Sequence, residues 1–304
     1  MIDELKFTVI SDTHYYSKKN FVDGFDKNKK PKPGQLFFSR SEEIVEHTFD
    51  CLCKNDTPDI VLISGDLTYN GERTSHDEMK AALKKLQQKG KRVYVITATH
   101  DYTTPRMPTY GIDKNDKYIE VESVKRTQLL KYYGDFGYNN AIAKHKSTMS
   151  YVAQLADGYR LFALNDDYGD PDCGFSDELM NWVKTEANNA KRDGQYIIAM
   201  THHPLVPPSP IYTAVAKGDM LNDYELRRKQ LSDLGFDFVL TGHTHMHNIS
   251  YCKIGNKKFY DISTAALTGF PPYYRQIVLN KEQKKAEIKT ICADCADSID
   301  TNGL

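Results

Sequence analysis

The sequence has no large excess of charge of either sign and no long apolar run. Its 304 residues carry 40 Lys and Arg against 41 Asp and Glu, which gives a formal net charge of −1 at pH 7. This balance, with the two signs interleaved, does not favour binding to nucleic acid or to an anionic membrane. No apolar stretch approaches the roughly 20 residues that a membrane-spanning helix needs. A small phosphorylated partner stays compatible with this charge, because metal ions rather than net protein charge can hold it.

Internal repeats, low-complexity tracts and a secretion signal are also missing from the sequence. Residues 1–6 are polar and lead directly into a strand-like segment, so a cytoplasmic location is expected if Met1 is the natural start. The six cysteines are scattered, and only Cys292 and Cys295 have the CxxC spacing of some zinc and redox sites. Because no second CxxC motif accompanies them, free thiols are expected. The sequence predicts no oligomeric state.

Apolar, β-rich segments alternate with helical patterns through the first 240 residues, which is typical of a layered α/β architecture. Beyond residue 240 the pattern becomes all-β, and the polar, tyrosine-rich residues 102–147 are interpreted as an insertion near the site. Strands are predicted at 6–10, 59–64, 92–96, 149–155, 159–165, 196–201, 236–240, 249–253, 258–262, 274–279 and 286–291. Helices are predicted to begin at capping boxes 39–42 and 75–78, to span about 123–133, and to begin at Ser176 and Asp223.

Histidines and carboxylates are concentrated immediately after the predicted strands. A single histidine at a strand end is more often a structural hydrogen-bonding group than a metal ligand. Loops at strand ends of layered folds converge on one crevice, so several such groups together favour a common site. The histidines at strand ends are His14, His100, His202, His203, His243, His245 and His247, and the aspartates beside or between them are Asp12, Asp66 and Asp101.

These residue types suit a dinuclear metal centre. Asp12 and His14 alternate along an extended segment and can share one ion, and the two oxygens of Asp66 can bridge two ions. Mixed nitrogen and oxygen ligands suit Mn, Fe or Zn rather than an all-oxygen Ca or Mg cage. Two such ions position a phosphoester for in-line attack by a metal-bridging hydroxide. His100, with Asp101 behind it, is the candidate that protonates the leaving alkoxide.

The order of the motifs resembles that of the calcineurin-like metallophosphoesterase family. The resemblance covers residues 6–291 and implies a four-layer αββα sandwich of two mixed β-sheets flanked by helices, α/β in class or α+β by strict counting. Residues 1–291 would be the catalytic domain, and residues 292–304 a polar tail or a linker stub. The motifs are Asp12-Thr13-His14, Gly65-Asp66, His100-Asp101, His202-His203-Pro204 and Gly242-His243-Thr244-His245, similar to the family's DxH, GD, GNH[DE], HHP and GHxH.

The resemblance implies a hydrolase of phosphoesters that uses two metal ions, Mn, Fe or Zn. Its GD loop, residues 64–76, is similar to that of bacterial cyclic-nucleotide and general phosphodiesterases. A small phosphodiester is therefore expected over a phosphomonoester, with a nucleotide as one candidate. The implied ligands are Asp12, His14, Asp66 and His245 for one metal, and Asp66, His202 and His243 for the other, with His100 as proton donor.

Thr99 departs from the family pattern, which has an asparagine ligand at this position. Its shorter, neutral hydroxyl should bind the second metal less well, so weaker occupancy, replacement by water or an altered metal preference is expected. The alternative function is therefore a degenerate family member that binds metal or a phosphorylated ligand with little turnover. A dinuclear amide hydrolase is a third candidate, which the short GD and GHxH motifs favour less.

Further side chains are candidates for substrate contact. Asn70 and Arg73 follow the GD loop and could contact phosphate or only cap that loop. His203 could contact substrate or replace His202 as the ligand. Candidates for a pocket that stacks a nucleobase are Tyr102, Tyr110, Phe270, Tyr273 and Tyr274, and the histidines expected to be solvated are His47, His76, His145 and His247.

Overall fold

The computed structural model describes residues 4–24, 36–54, 56–105, 107–167 and 173–293. Its strands are β1 (Glu4–Ile10), β2 (Ile60–Ser64), β3 (Arg92–Ile96), β4 (Gly111–Ile112), β5 (Tyr118–Ile119), β6 (Ala143–His145), β7 (Ser150–Ala156), β8 (Tyr159–Ala163), β9 (Tyr196–Met200), β10 (Phe238–Thr241), β11 (Asn248–Ile254), β12 (Lys257–Ser263), β13 (Tyr273–Asn280) and β14 (Lys285–Cys292). Its α-helices are α1 (Ser41–Leu52), α2 (Arg73–Gln88), α3 (Leu129–Tyr133), α4 (Asp177–Arg192), α5 (Tyr212–Val215) and α6 (Tyr224–Leu234).

Two mixed β-sheets form the centre of the structure. One has five strands in the order β14-β13-β1-β2-β3. In it β1, β2 and β3 are parallel to one another, and β13 pairs antiparallel with both β1 and β14. The second has seven strands in the order β11-β12-β10-β9-β8-β7-β6, with a parallel centre of β12, β10, β9 and β8. The parallel strands of each sheet direct their carboxyl ends to one edge, as the predicted strand-end site requires.

Strand β8 shows how the layers are filled, because both of its faces are buried. Leu161 and Ala163 belong to the core that also contains residues of α1, α2 and the five-stranded sheet. Phe162, between them, points to the other side and packs in a second core with residues of α4 and α6. Alternate side chains of one strand therefore serve two cores. The predicted four-layer sandwich of helices, two mixed sheets and helices is confirmed.

Neither predicted capping box caps its helix, because Ser39 lies in a 3-10 turn before α1 and neither α1 nor α2 begins with a side-chain cap. Ser41 begins α1, and its hydroxyl accepts a hydrogen bond from the Tyr16 N–H at 2.8 Å. Ser75 lies inside α2, and its hydroxyl accepts a bond from the Ser17 N–H at 3.1 Å. Both hydroxyls bind the loop after β1, and the two capping predictions, at Ser39 and Ser75, are wrong. The cap predicted at Ser176 for α4 is confirmed.

The predicted insertion contributes to both the sheet and the helical layer. Its helix is shorter than predicted, with a 3-10 turn at Arg126–Gln128 followed by α3. Its last strand, β6, pairs with β7 at the edge of the seven-stranded sheet. The predicted hairpin of β7 and β8 is confirmed.

The C-terminal region is described only in part. Strand β14 continues through Cys292, one residue beyond the predicted domain boundary, and residues 294–304 of the predicted tail lie outside the described residues. Cys295 is among them, so the CxxC interpretation stays a prediction, while Cys51, Cys53, Cys173 and Cys252 are free thiols. None of the helices within the described ranges combines the length and apolarity needed to cross a bilayer.

Candidate metal centre

The six predicted metal ligands meet where the carboxyl ends of the two sheets face each other. The side chains of Asp12, His14, Asp66 and His202 are almost fully buried, and that of His245 is 23% exposed. Backbone hydrogen bonds join the loop after β1 to the loop after β2, from the Asp12 N–H to the Gly65 carbonyl at 3.2 Å and from the His14 N–H to the Asp66 carbonyl at 3.0 Å. Residues from distant parts of the chain therefore form one site.

Five of the six ligands have a left-handed backbone conformation. Such φ values are uncommon outside glycine and cost roughly 1–3 kcal/mol each, so they persist only where the surrounding structure imposes them. Half of the ten non-glycine residues with positive φ among the described residues belong to this one site. The φ values are 50° for Asp12, 37° for His14, 50° for Asp66, 62° for His243 and 56° for His245.

Two glycines allow the ligands to approach one another. Gly65 has a φ of +102°, and a Cβ atom there would lie 2.7 Å from Nδ1 of His202 and 2.8 Å from the Ala98 Cβ. A Cβ at Gly242 would overlap the side chains of Ser11 and Asp12. The glycines of the GD and GHxH motifs are therefore needed for space around the ligands.

The first group of donors consists of Asp12, His14 and His245. Nε2 of His14 lies 3.1 Å from Nε2 of His245, and Oδ1 of Asp12 lies 3.4 Å from His245 Nε2 and 3.7 Å from His14 Nε2. The other Asp12 oxygen accepts hydrogen bonds from the Ser11 hydroxyl and from the His243 N–H, the latter at 3.0 Å. Oδ1 is left buried, without a hydrogen-bond partner, and aimed at two ring nitrogens.

The second group consists of Asp66, His202 and His243. The Ser64 carbonyl can only accept a hydrogen bond, so Nδ1 of His202, 2.7 Å away, carries the hydrogen. Nε2 of His202 is thereby left as the ligand atom, 3.1 Å from Oδ2 of Asp66. Asp66 also forms a group with His14 and His100. Asp66 thus belongs to two of the three donor groups, and its bridging role stays a prediction.

Neighbouring imidazoles keep the two aspartates ionised. Burial alone would raise the pKa of Asp12, but His14 and His202 lower that pKa well below its usual range. The pKa of Asp66 is also lowered despite burial, chiefly by His202 and His100. Burial works in the opposite direction on His202, whose pKa Asp66 and Asp12 raise well above its usual value. The carboxylates are therefore in the form that binds cations.

The donor set fits two metal ions. Asp12 Oδ1 and His202 Nε2 are buried without a hydrogen-bond partner in the described structure, a costly state that a bound cation would relieve. The donors form three overlapping groups, two of which contain His14 and two of which contain Asp66. Within each group the potential ligand atoms lie within 4.8 Å of one another. Nitrogen and oxygen donors in this mixture suit Mn, Fe or Zn.

His100 lies beside these donors and is held by main-chain and amide oxygens. Its Nδ1 is 2.6 Å from the Tyr69 carbonyl and 2.9 Å from Oδ1 of Asn70. Because the carbonyl must accept, Nδ1 carries a hydrogen and Nε2 is the nitrogen available for chemistry. Asn70, predicted to touch substrate, is buried and orients His100 instead.

Asp101 does not stand behind His100, so that prediction is wrong. Its buried carboxylate accepts hydrogen bonds from the Thr68 N–H at 2.8 Å and the Ala98 N–H at 2.9 Å. Burial, together with the nearby charge of Asp66, raises the pKa of Asp101 to about 7. The side chain braces the loops after β2 and β3 rather than the imidazole.

Three other predicted residues take different positions. Thr99 makes no side-chain hydrogen bond within the described structure, although the N–H of the next residue, His100, binds Oδ1 of Asp66 at 3.0 Å. Arg73 turns to the insertion, where it forms an ion pair with Glu122, so the structure does not place it among the ligands. The ring of His203 lies 4.0 Å from that of His243, at the border of the second donor group.

Asp166 is a positioning residue that the sequence analysis missed. Its Oδ2 accepts hydrogen bonds from the His202 N–H at 3.1 Å, the His203 N–H at 2.7 Å and the Thr201 hydroxyl at 2.8 Å. His203 Nδ1 lies 3.2 Å from its other oxygen. Asp166 follows directly after the predicted strand 159–165, so the same strand-end pattern could have identified it.

Two of the histidines expected to be solvated are buried. His76 has no exposed surface; its Nδ1 lies 2.6 Å from the Tyr133 hydroxyl and its Nε2 3.0 Å from the Asp101 carbonyl. His145 is 6% exposed and lies 2.9 Å from the Thr148 hydroxyl. The helical and loop patterns gave no sign of these partners, because the partners lie on other elements or in a turn.

The five aromatic residues predicted to line a pocket lie in different surroundings. Tyr274 is buried in the main core, and Tyr273 packs against His247 at 5.3 Å, so neither lines the site. Tyr110 contacts Tyr69 beside the ligands, and Phe270 is 58% exposed. Tyr102 packs beneath Arg126.

Residues 5–247 match the family described as calcineurin-like phosphoesterase. The chain belongs to this family. Among solved structures it is similar to a dimetal phosphatase from Danio rerio, with 12% identity, a TM-score of 0.59, and coverage of 95% of this chain and 99% of the other. It is also similar to an NAD nucleotidase from Haemophilus influenzae, with 14% identity, a TM-score of 0.47, and coverage of 94% of this chain and 49% of the other. No curated protein matches the sequence.

At these identities the structural likenesses show the fold alone, and membership of the family carries the functional conclusion. This calcineurin-like phosphoesterase is a metal-dependent hydrolase of phosphoesters. Family and donor groups together support a centre for two divalent ions.

Substituting Gly65 by alanine should disrupt metal binding. The new Cβ would displace His202, whereas the same change at Gly90, which has a φ of +88°, meets no atom within 4 Å. Both variants carry a similar backbone strain of about 1 kcal/mol. We expect Gly65→Ala to retain less manganese per chain after loading and gel filtration than Gly90→Ala. Equal metal content in the two variants would show that the close approach at Gly65 is not needed.

Replacing Asp166 by asparagine should weaken metal affinity through His202. Asparagine lacks the negative charge that strengthens these hydrogen bonds, and its NH₂ group would replace one of the two accepting oxygens. Loss of such a supporting carboxylate typically reduces metal affinity about 10- to 100-fold. We expect this loss in a zinc competition titration, with Asp233→Asn on α6 as the control. An affinity equal to that of the control would contradict the positioning role.

Proposed function

We propose that this protein hydrolyses phosphodiesters in preference to phosphomonoesters, with His100 as the proton donor. The observation that carries the proposal is the sharing of His14 and Asp66 between the donor groups, with His100 beside them. The proposed metal ligands are Asp12, His14, Asp66, His202, His243 and His245.

When bound, two metal ions would supply positive charge to the phosphoryl oxygens and lower the pKa of the attacking water. The protein holds the ligands for this task before substrate arrives. The Ser64 carbonyl fixes the ring of His202, and the Asp166 carboxylate fixes the backbone of the same residue. Ligands already in place do not have to reorganise during the reaction.

His100 is oriented to give a proton to the leaving oxygen. The two atoms near its Nδ1, the Tyr69 carbonyl oxygen and Asn70 Oδ1, are both hydrogen-bond acceptors. Because Nδ1 is directed at these two oxygens, Nε2 is the ring nitrogen from which a hydrogen could be donated. That hydrogen is the one available for an alkoxide that leaves phosphorus.

The charges around the site support a diester as the substrate. The groups that lower the pKa values of Asp12 and Asp66 most are imidazoles. Arg73, the arginine that follows the GD loop, is paired with Glu122 on the insertion. Neutralising substrate charge is thus left largely to the metal ions. A diester carries a single negative charge, whereas a phosphomonoester carries about −1.5 to −2 at neutral pH.

His100→Gln should slow the cleavage of poor leaving groups more than that of good ones. A general acid contributes roughly 10²- to 10⁴-fold, and mainly where the departing oxygen is strongly basic. With manganese-loaded protein, we expect a larger loss of kcat on diphenyl phosphate than on bis-p-nitrophenyl phosphate. His47→Gln on α1 serves as the control. Equal losses on both diesters would assign His100 a structural or metal-binding role instead.

The alternative is a family member that binds metal or phosphorylated ligand with little turnover. The shorter, neutral hydroxyl of Thr99, at the position where the family has an asparagine, favours incomplete filling of one metal position. Thr99→Asn should bring a longer amide oxygen to the site and raise the number of metal ions per chain, with the exposed Thr103→Asn as the control. If the natural protein is inert toward every diester with each metal and Thr99→Asn is active, the alternative is correct. Turnover by the natural protein contradicts it.

A further inference from the structure

Four aromatic rings form a connected surface that begins at the metal centre. We call Phe38, Tyr69, Tyr110 and Tyr118 the aromatic array. Tyr69 is its inner member, with ring centroids 5.3 Å from Phe38 and 6.2 Å from Tyr110. Tyr110 continues outward to Tyr118 at 4.2 Å, and Tyr118 is 62% exposed. The array therefore extends from the buried ligands to solvent.

The inner end of the array touches the groups that would act on phosphorus. The ring of Tyr69 lies 6.2 Å from that of His14 and 6.3 Å from that of His100. The Tyr69 carbonyl also accepts the hydrogen bond from His100. A substituent of a phosphate bound at this centre would therefore lie within reach of Tyr69, the first ring of the array.

The array is held in place from below by Tyr16, which is 1% exposed. Its ring lies edge-on to Phe38 at 5.6 Å and to Tyr69 at 5.7 Å, and its hydroxyl donates a hydrogen bond to the Tyr110 carbonyl at 3.1 Å. Rings fixed in this way lose little entropy when a ligand stacks on them. Burial raises the pKa of Tyr110, so its phenol stays neutral.

We propose that the aromatic array is the subsite for a planar aromatic substituent of the substrate, which makes aryl or nucleoside phosphodiesters the preferred class. This inference rests on the proposed phosphodiesterase function. Half-buried, fixed and uncharged rings next to the reacting groups suit a flat ring system, which packs offset or edge-on at centroid distances of about 4.5–7 Å. A flexible alkyl chain would gain burial from the same rings but no stacking.

The test compares three esters with the same p-nitrophenyl leaving group. Their other substituents are methyl, hexyl and thymidine 5′, so differences report the subsite rather than the chemistry. We expect kcat/KM to be roughly tenfold higher or more for the thymidine ester than for the methyl ester, because stacking of a base on an aromatic side chain is worth about 1–3 kcal/mol. The hexyl ester should gain clearly less. No preference for thymidine, or an equal gain with hexyl, overturns the proposal.

Variants of the array should reduce that preference. Tyr110→Leu and Phe38→Leu each keep an apolar side chain but remove a ring, and Tyr251→Leu on β11, far along the sheet edge, is the matched control. We expect the thymidine-to-methyl ratio of kcat/KM to fall about tenfold in either array variant, through KM rather than kcat, and to stay constant in the control. Melting curves confirm folding. A ratio unchanged in both array variants overturns the proposal.

A binding measurement separates this inference from the proposed function. If no ester is hydrolysed, the phosphodiesterase proposal fails, but manganese-loaded protein can still be titrated with thymidine 5′-monophosphate and methyl phosphate. Tighter binding of the nucleotide in the natural protein, lost in Tyr110→Leu, supports the aromatic subsite. Equal affinities for the two ligands overturn it, whatever the protein hydrolyses.

Discussion

The structure depends on two buried carboxylates placed among imidazoles where two sheets face each other. Asp12 and Asp66 belong to different loops, and each lies near ring nitrogens that include some from elements far away in sequence. Buried charge of one sign is expensive, and the partners that compensate it must come from both sheets. The attraction between carboxylate and imidazole or metal therefore acts across the interface between sheets and makes the site part of the core.

The backbone around the ligands is strained by this arrangement. Most of the ligands adopt left-handed φ values, and Gly65 and Gly242 leave space that any side chain would fill. The supporting residues Asp101 and Asp166 accept hydrogen bonds from backbone N–H groups of the ligand loops. Strain at the ligands and hydrogen bonding around them are two parts of the same geometry.

Much of the architecture and the ligand set could be predicted from the sequence. Buried strands such as β2 are continuous apolar runs, and polar residues that end such runs must lie at one edge of a parallel sheet. That is why Asp12, Asp66 and His202 could be grouped from the order of residues alone. The succession of the motifs along the chain then suggested the family and, with it, the sandwich of two sheets.

The remaining features depend on contacts that no local pattern encodes. Ser75 has capping-box spacing to Glu78, yet it lies inside α2 and its hydroxyl binds the loop after β1, because tertiary hydrogen bonds compete with helix caps. Asp101 was assigned to His100 by adjacency, although consecutive residues of the tight turn point to different neighbours. His76 lies on the polar pattern of α2 and acquires its partners only when the turn after β3 and the insertion fold against that helix.

The position of His76 has a consequence for how the protein can change. Its ring lies between the Tyr133 hydroxyl of α3 and the Asp101 carbonyl beside His100, so it links the insertion to the loop that carries His100. A change in the insertion that shifts α3 would also shift the main chain at Asp101 and misalign the imidazole of His100. Changes in the insertion that preserve turnover should therefore keep the Tyr133 hydroxyl in contact with His76.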